Sequence, residues 1–461
     1  IYFGYKERLV ANNTFQGWSS YVGITTFYQG GNEIMLKYNK TIWSWAFYDW
    51  ANSAFSTTVV AGFFPIFFSA YWADPTNANQ STFQLGVANS IASIIIALIS
   101  PILGAVADCA SAKKKFLITF AFMGIIMTGG LWFVGKGEWE FAIFIYIMAS
   151  IGFMSGNIFY DSLLPIVAER SKLDHVSSFG YGLGYLGGGS LFLINVLMYL
   201  NPDWFGIVDA TTAVRISFVT VAIWWGIFTI PAILFISEPK KTKEISITKA
   251  IIKGFKQIKK TFRQIKKMRV IGKFLIAYWL YIDGVDTIIK MAVKAASSPE
   301  YGFETADLIT ALLMVQFIAF PSAIIYNIFA QKIGTKNAVY IAIGGYAMAT
   351  LLGYFMSDRL HFFCLAALIG LFQGGIQALS RSLYARLIPE NMEAEFFGFY
   401  NMLGKFASVI GPLLMGWITL ITGSVRYGIL SILILFISGA IILREVNFEE
   451  GEEIALNFNK I

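Results

Sequence analysis

Charged residues are scarce in this 461-residue chain, where Asp, Glu, Lys and Arg make up 14% and hydrophobic residues 56%. A soluble domain carries about 25% charged residues, so the composition excludes an ordinary soluble protein. Histidine and cysteine occur only twice each, which leaves no ligand set for a zinc site and no disulfide framework. Because no nucleophile paired with a base is recognisable, we expect no enzyme, no cofactor and no bound metal.

Long apolar segments are present instead, and the mean hydropathy is +0.63. A helix needs about 20 apolar residues to cross the hydrocarbon core of a bilayer. Eleven runs without Asp, Glu, Lys or Arg approach or exceed this length, and a twelfth apolar segment, 270–296, carries Asp283, Asp286 and Lys290 in its interior. The sequence therefore predicts an all-α polytopic membrane protein with twelve transmembrane helices.

The distribution of basic residues predicts the orientation. With both termini inside, the inner loops hold 22 Lys and Arg residues, twelve of them within 240–269, and the outer loops hold 4. This asymmetry agrees with the positive-inside rule and places both termini in the cytoplasm. The net charge of +7 is then explained by topology and by contact of 240–269 with anionic lipids, so no nucleic acid is expected as a partner.

Two internal matches indicate a duplicated architecture. Residues 104–108 match 327–331 at an offset of 223, and 157–169 match 381–393 at an offset of 224, which suggests two parallel six-helix repeats. The basic segment between them has apolar residues at helical spacing, so it either lies along the inner membrane surface or forms a solvated connector. We divide the chain into an N-terminal tail of unassigned structure at 1–40, a first half at 41–236, a linker at 237–269, a second half at 270–444 and an acidic, disordered tail at 445–461.

Polar side chains within the predicted spans fall on the same member of each three-helix unit. Their helical spacing places them on one face of the first, fourth, seventh and tenth spans. Because polar groups are costly inside a bilayer, these faces are expected to line a central aqueous cavity. The residues expected to contact a small-molecule substrate there are Asn52, Asn157, Gln373, Gln377 and Arg381.

The charged residues within the spans are assigned to coupling and gating. At mid-depth, desolvation favours the protonated carboxyl, so a carboxyl there can exchange the coupling proton, and Asp283 is the favoured site. The full set expected to couple a proton or another cation is Asp49, Asp283, Asp286 and Lys290. The set expected to gate the inner side is Asp108, Asp161 and Arg381, with Asp161 as the partner of Arg381.

Structural roles are the alternatives for the same residues. Asp286 and Lys290 are four residues apart, which suits a static ion pair on one helix. Arg381 and Asp161 would alternatively form a permanent brace between the halves, and Asp49 would brace its helix near the inner end. These alternatives stay open at the level of sequence.

The fifth predicted span contains Gly182, Gly184 and Gly187 in the spacing G-x-G-x-x-G. A dinucleotide-binding loop would need a strand before these glycines and a helix after them, and a hydrophobic span supplies neither. We therefore predict that the glycines serve close packing of this helix against a neighbour.

Four motifs resemble the vacuole-effluxer-like family of the major facilitator superfamily. They are WAFYDWANSAF at 45–55, YWLYIDGVDT at 278–287, QGGIQALSRS at 373–382, and FGFY at 397–400 with Gly-Pro at 411–412. The resemblance covers about 41–444 and implies a secondary transporter built from two six-helix halves. Fungal members of this family are linked to export of amino acids from the vacuole.

One loop departs from the pattern of the superfamily. Asp108 is followed by Cys-Ala-Ser-Ala-Lys rather than by the usual Arg-x-Gly, and Gln331 occupies the matching position in the second half. These differences predict an inner gate that is weaker or latched differently from that of other members.

The function predicted from these features is proton-coupled transport of a small polar, zwitterionic, amino-acid-like solute by alternating access. The alternatives are a flippase for an amphiphile such as a lysolipid, favoured by the Phe-rich walls, and a non-transporting membrane receptor. The protein is expected to be monomeric. A bacterial inner membrane is the expected location, with a vacuolar or other organelle membrane as the alternative.

Overall fold

The computed structural model describes residues 39–74, 78–239, 252–254, 268–296 and 303–458, and no strand occurs among them. Ten helices in these ranges are long and apolar enough to span a membrane, and α7 and α9 below are two further long helices. The prediction of an all-helical, multi-span membrane protein is confirmed. The long helices in chain order are α1 Lys40–Trp72, α2 Ala78–Ala110, α3 Lys113–Gly130, α4 Trp139–Val167, α5 Leu173–Leu200, α6 Ala210–Phe235, α7 Arg269–Ala296, α8 Thr305–Ile333, α9 Thr335–Tyr354, α10 Arg359–Leu387, α11 Glu393–Thr422 and α12 Val425–Arg444.

The helices pack both within and between the two predicted halves, and the division into halves stays a prediction. In the first half α1 packs on α5 and α6, and in the second half α7 packs on α11 and α12. The halves meet mainly where α2 packs on α11 and where α5 packs on α8 and α10. Here and below, inner and outer denote the two sides predicted from the basic residues.

Helix α1 departs from regular α-helical geometry in its outer part. Its start is capped by Asn39, whose side chain accepts a hydrogen bond from the backbone N–H of Ile42. Beyond Ala54 the helix continues as π-helix over Phe55–Phe63 and again over Phe68–Trp72. Because π-helical turns are rare and frequently mark functional sites, the outer part of α1 is a candidate functional element.

The glycines of α5 allow its backbone to approach α1 closely, as the sequence predicts. A methyl group on Gly187 would lie 2.5 Å from the carbonyl oxygen of Trp50, and one on Gly184 would lie 2.9 Å from Asp49 Oδ1. The predicted role in helix packing is confirmed. This contact fixes the distance between α1 and α5, the two helices that carry much of the site described below.

The C-terminal segment corrects one prediction, because the acidic tail forms a helix rather than a disordered chain. This helix, α13, extends over Phe448–Asn457, and Asn447 caps its first turn. Phe448 contacts the ring of Phe274 on α7 edge-on, at 5.7 Å between ring centroids. Just before α13, Lys273 donates to Glu445 at 2.8 Å, and this hydrogen bond lowers the pKa of the Glu445 carboxyl. The local charge pattern suggested disorder because it does not show these tertiary contacts.

Most of the basic linker lies outside the described residues, as do 1–38, so the membrane-surface helix predicted for the linker stays a prediction. The described parts of the linker pack on the inner ends of the first half. Glu238 accepts hydrogen bonds from the backbone N–H groups of Lys113 and Lys114, at 3.1 and 3.2 Å, and so caps α3. Gly254 lies against Val106 of α2.

Replacing Gly451 with valine should detach α13 from the body of the protein. A methyl group at this position would lie 2.5 Å from the Leu387 side chain and 2.8 Å from that of Val270. Overpacking of this kind costs about 1–3 kcal/mol. Gly416→Val is the matched control, since nothing lies within 4 Å of a methyl group there. We expect faster proteolytic removal of a C-terminal tag in Gly451→Val alone; equal rates in both variants would contradict the docking of α13.

Candidate functional site

A buried arginine on α10 forms the centre of the site. Arg381 is 1% exposed, and its guanidinium reaches from the second half into the first. Nη1 donates to Asp161 Oδ1 on α4 at 3.1 Å, while Nε and Nη2 donate to the hydroxyl and carbonyl oxygens of Ser177 on α5, both at 2.9 Å. The predicted contact between Arg381 and Asp161 is therefore present; whether it is a gate or a brace stays a prediction.

Aromatic rings enclose the rest of the guanidinium. The Arg381 Cζ atom lies 4.0 Å from the ring centroid of Tyr181, 4.9 Å from Trp45 and 5.3 Å from Tyr160. Trp45 stacks on Tyr160 at 4.3 Å and donates its indole N–H to the Tyr160 carbonyl oxygen. Ring faces attract cations, so this box stabilises positive charge at the site.

Two carboxylates of the first half face the guanidinium. Asp49 Oδ2 lies 3.8 Å from Arg381 Nη1 and accepts a hydrogen bond from Tyr160 at 3.1 Å. Asp161 accepts a further bond from Asn401 on α11 at 3.3 Å, and Lys405, one turn along α11, acts on Asp161 electrostatically. The site thus combines two acidic and two basic groups from α1, α4, α10 and α11.

The other predicted solute contacts fall into separate places. Asn52 on α1 donates to Asn157 on α4 at 2.6 Å, so these two form a hydrogen bond within the first half. Gln377 accepts from Tyr185 of α5 at 2.5 Å, one turn above Arg381. Gln373, a further turn outward, borders a cavity of about 480 Å³ in the outer half. The predicted polar stripe of α10 therefore runs from this cavity to the buried arginine.

Of the predicted coupling residues, Asp49 lies on α1 beside Arg381, and the other three lie on α7. Asp283 is 1% exposed. Its two carboxylate oxygens accept hydrogen bonds from the backbone N–H of Gly411 on α11, at 3.0 and 3.1 Å, and Oδ1 also accepts one from the Thr287 hydroxyl at 3.2 Å. Pro412 follows directly, so Asp283 stabilises α11 where a proline interrupts its hydrogen bonding. Asp286 is half-buried, and the side chain of Lys290 lies outside the described residues.

The inner side is closed by a charge network between α2, α3 and α11. Lys113 Nζ lies 3.0 Å from Asp108 and 2.6 Å from Glu393. Asp108 also accepts the backbone N–H groups of Ala394 and Glu395, at 3.2 and 2.8 Å, in the first turn of α11. A carboxylate is favoured there by the positive end of the helix dipole, so Asp108 links the halves, and its role in gating stays a prediction.

A second contact between the halves on the inner side uses different residues. Gln331, which matches Asp108 in the second half, is exposed. Asp174 on α5 forms an ion pair with Arg386 on α10 at 2.6 Å. Its carboxylate also accepts hydrogen bonds from the hydroxyl groups of Thr335 and Ser382, at 2.6 and 2.5 Å. The inner gate is therefore asymmetric. The sequence predicted an inner gate that is weaker or latched differently, and the pair of Asp174 with Arg386 fits a different latch.

Several residues of the site were not predicted from the sequence. Ser177, Tyr181 and Tyr185 occur at steps of four, so polar periodicity along α5 would have identified this face. The role of Asp174 has no comparable signal, because its partners are 161 and 212 residues away. Among the described residues no group of three or more His, Cys, Asp or Glu side chains could hold a metal ion.

Replacing Lys113 with methionine should open the inner side. The change leaves Asp108 and Glu393 buried without their shared cation, and breaking a buried pair costs about 3–5 kcal/mol. Lys172→Met, which removes an exposed partner of Glu169, is the control and should cost less than about 1 kcal/mol. We expect faster maleimide labelling of Cys109, next to Asp108, in Lys113→Met with Cys364 replaced by serine. Unchanged labelling would contradict the latch.

Comparison with known proteins supports the fold and places the chain in a family. A family model described as "Vacuole effluxer Atg22 like" matches residues 75–455. The chain is 38% identical to an uncharacterized MFS-type transporter, YxiO, of Bacillus subtilis, with 93% of this chain and 100% of that protein covered. Autophagy-related protein 22 of Yarrowia lipolytica is 22% identical, with 84% and 78% covered.

Solved structures show the same architecture at low sequence identity. The proton:xylose symporter XylE matches with a TM-score of 0.66 at 13% identity, covering 90% of this chain and 98% of that one. A bacterial homologue of the iron transporter ferroportin in an outward-facing state matches with a TM-score of 0.60 at 13% identity, covering 89% and 98%. With a family model that covers most of the chain and a relative that is 38% identical over 93% of it, the chain belongs to the vacuole effluxer Atg22-like family of the major facilitator superfamily, whose members are secondary transporters.

Proposed function

We propose that this transporter carries a small zwitterionic, amino-acid-like solute by alternating access and couples its movement to protons. The observation that carries the proposal is the environment of Arg381, where two acids, two bases and an aromatic box converge between the halves. A zwitterion exchanges contacts with such a site without changing its net charge. The family relationship to vacuolar effluxers supports the same class of solute.

The solute carboxylate would bind the guanidinium of Arg381. Arginine stays charged and offers parallel N–H donors that match a carboxylate. Asp161 accepts a hydrogen bond from Nη1 of Arg381 through one of its two oxygens. A solute carboxylate can therefore displace Asp161 without disturbing the two hydrogen bonds from Nε and Nη2 to Ser177. The solute ammonium would then lie close to Asp49 and the face of Tyr181.

Displacement of Asp161 links binding to movement of the halves. Arg381 belongs to the second half, and Asp161 and Ser177 belong to the first, so their bonds hold α10 against α4 and α5. A solute that takes over one of these bonds weakens this attachment on the inner side. The halves can then separate there once the bonds to Ser177 also break, and Arg381 remains paired with the solute carboxylate.

Asp283 remains the favoured site of the coupling proton. Its carboxylate holds the backbone of α11 at Gly411, next to Pro412. Protonation removes charge from this acceptor and weakens its bonds to α11, which would allow that helix to bend at the proline. The relationship to a Bacillus protein supports a location in a bacterial cytoplasmic membrane, with the binding site accessible alternately from each side.

The solute class can be tested with proteoliposomes and the standard amino acids, each compared with its amide and its decarboxylated amine. Loss of the carboxylate should weaken binding by about 1.5–3 kcal/mol, as for hydrogen bonds to charged groups. Asp161→Asn should tighten binding of accepted amino acids because it removes the competitor for Arg381, whereas Asp203→Asn in an exposed loop should have no effect. Equal uptake of acids and amides, or weaker binding in Asp161→Asn, would disprove the role of Arg381.

Replacing Asp283 with asparagine should separate transport from the proton gradient. Asparagine still accepts a hydrogen bond from Gly411 but does not bind a proton, so the fold is kept and the coupling is lost. We expect gradient-driven accumulation to disappear while counterflow exchange stays largely intact. Accumulation that survives this change would move the coupling group to Asp49 or Asp161.

An amphiphile is the second candidate for the transported solute. The observation that favours it is the apolar lining of the cavity beyond Gln373. Amphiphile transport would require its charged head at Arg381 and its chain in the outer half at the same time. Competition of a lysolipid with accepted amino acids for uptake would support this candidate over the first.

A further inference from the structure

One hydrogen bond between the halves lies between the site at Arg381 and the outer cavity, the cavity of about 480 Å³ in the outer half. Tyr185 on α5 of the first half donates to Gln377 on α10 of the second half at 2.5 Å. The amide of Gln373, one turn further out on α10, lies within hydrogen-bond reach of the same hydroxyl. Gln373 borders the outer cavity, and Arg381 lies one turn inward of Gln377. The ring of Tyr185 therefore separates the outer cavity from the guanidinium.

The contacts that join the halves differ in strength between the two sides. On the inner side they include buried ion pairs, such as that of Asp174 with Arg386, and breaking a buried pair is strongly unfavourable. The hydrogen bond of Tyr185 joins two uncharged side chains, and a neutral hydrogen bond shifts an equilibrium by only about fivefold. The bond of Tyr185 can therefore open while the inner contacts hold.

The backbone of α5 cannot provide this opening, because it is packed closely on α1. Methyl groups on Gly184 and Gly188, on either side of Tyr185, would each lie 2.8 Å from a hydroxyl oxygen of α1, that of Ser53 and that of Thr57 respectively. The opening therefore has to come from rotation of the Tyr185 side chain. Its ring is 7% exposed, and the outer cavity beside Gln373 provides space for the ring to turn into. Rotation of one side chain is also much faster than the movement of helices.

We propose that Tyr185 is the gate of the Arg381 site toward the outer side and is held shut by its hydrogen bond to Gln377. With this bond made, the site is closed to both sides, because the ion pairs close the inner side. With the bond broken, the ring turns into the outer cavity and the site is open to the outer solution. The two halves keep their positions during this step, so one side chain controls access.

The gate can be tested without any solute by labelling a single cysteine at the site. Ser53→Cys is a suitable reporter, because the Ser53 hydroxyl donates to Asp49 Oδ1 at 3.3 Å and Ser53 is not one of the described residues that line the outer cavity. Cys109 and Cys364 are replaced by serine, and a membrane-impermeant methanethiosulfonate is added outside right-side-out vesicles. We expect Tyr185→Phe to raise the rate of labelling about fivefold, the factor that corresponds to one neutral hydrogen bond.

Matched variants control this measurement. Tyr199→Phe, further out on α5, should leave the rate unchanged, and a second reporter in the outer cavity, Val60→Cys, should react equally fast in all variants. Gln377→Leu should also speed the labelling of Ser53→Cys. Combined with Tyr185→Phe it should bring no further increase, because both changes remove the same hydrogen bond. A rate at Ser53→Cys that Tyr185→Phe does not change, whether fast or slow, would overturn the proposal.

A further measurement distinguishes a side-chain gate from separation of the halves. If the halves had to separate on the outer side, the inner contacts would tighten, and labelling of Cys109 from the inner side would become slower. We expect Tyr185→Phe to leave that rate unchanged in protein with Cys364 replaced by serine. Slower labelling of Cys109 would assign the bond to closure of the whole outer side and overturn the gate. Because no solute is present, these rates do not depend on the function proposed above.

Discussion

The burial of one permanently charged guanidinium constrains much of this structure. A charge inside the hydrocarbon region persists only with hydrogen-bond acceptors and opposite charge around it. Arg381 obtains these from α1, α4 and α5 of the opposite half, which must therefore converge at one depth. Their convergence in turn requires small residues, and the glycines of α5 let its backbone approach α1. The buried charge of Arg381 and the glycines of α5 thus depend on each other, because the acceptors of the guanidinium converge at one depth where the glycines let the helices pack closely.

The two halves share an architecture but differ in how they close the inner side. In the first half, one carboxylate, Asp108, reaches the start of α11 and is joined to it through Lys113. In the second half, the position that matches Asp108 holds an exposed glutamine, Gln331. The contact between the halves on this side is made instead by Asp174 on α5 of the first half and Arg386 on α10 of the second half. Arg386 also lies 3.9 Å from Glu452 of α13. The C-terminal helix therefore contacts the gate on the side of Asp174 and Arg386, which makes the two interfaces chemically distinct.

The sequence was sufficient for the class of fold and for part of the site. Apolar run lengths predict the spans because the bilayer sets their length, and depth along the helices identified the contact of Arg381 with Asp161. Three contacts were not predictable in this way: the hydrogen bond from Arg381 to the Ser177 carbonyl oxygen, the hydrogen bond from the Gly411 backbone to Asp283, and the packing of α13 on the rest of the protein. Each joins segments far apart in the chain, and a local pattern of residue types does not record which distant backbone group will be adjacent.

The hydrogen bond between Tyr185 and Gln377 has a consequence for the transporter without solute. It lies on the path between the outer cavity and the inner side, and Arg381, one turn further along that path, is already paired with Asp161. No charged side chain lines the outer cavity among the described residues, so an ion that enters it finds no opposite charge to offset its desolvation. An ion in the outer cavity therefore meets this hydrogen bond before it reaches the charged groups of the site.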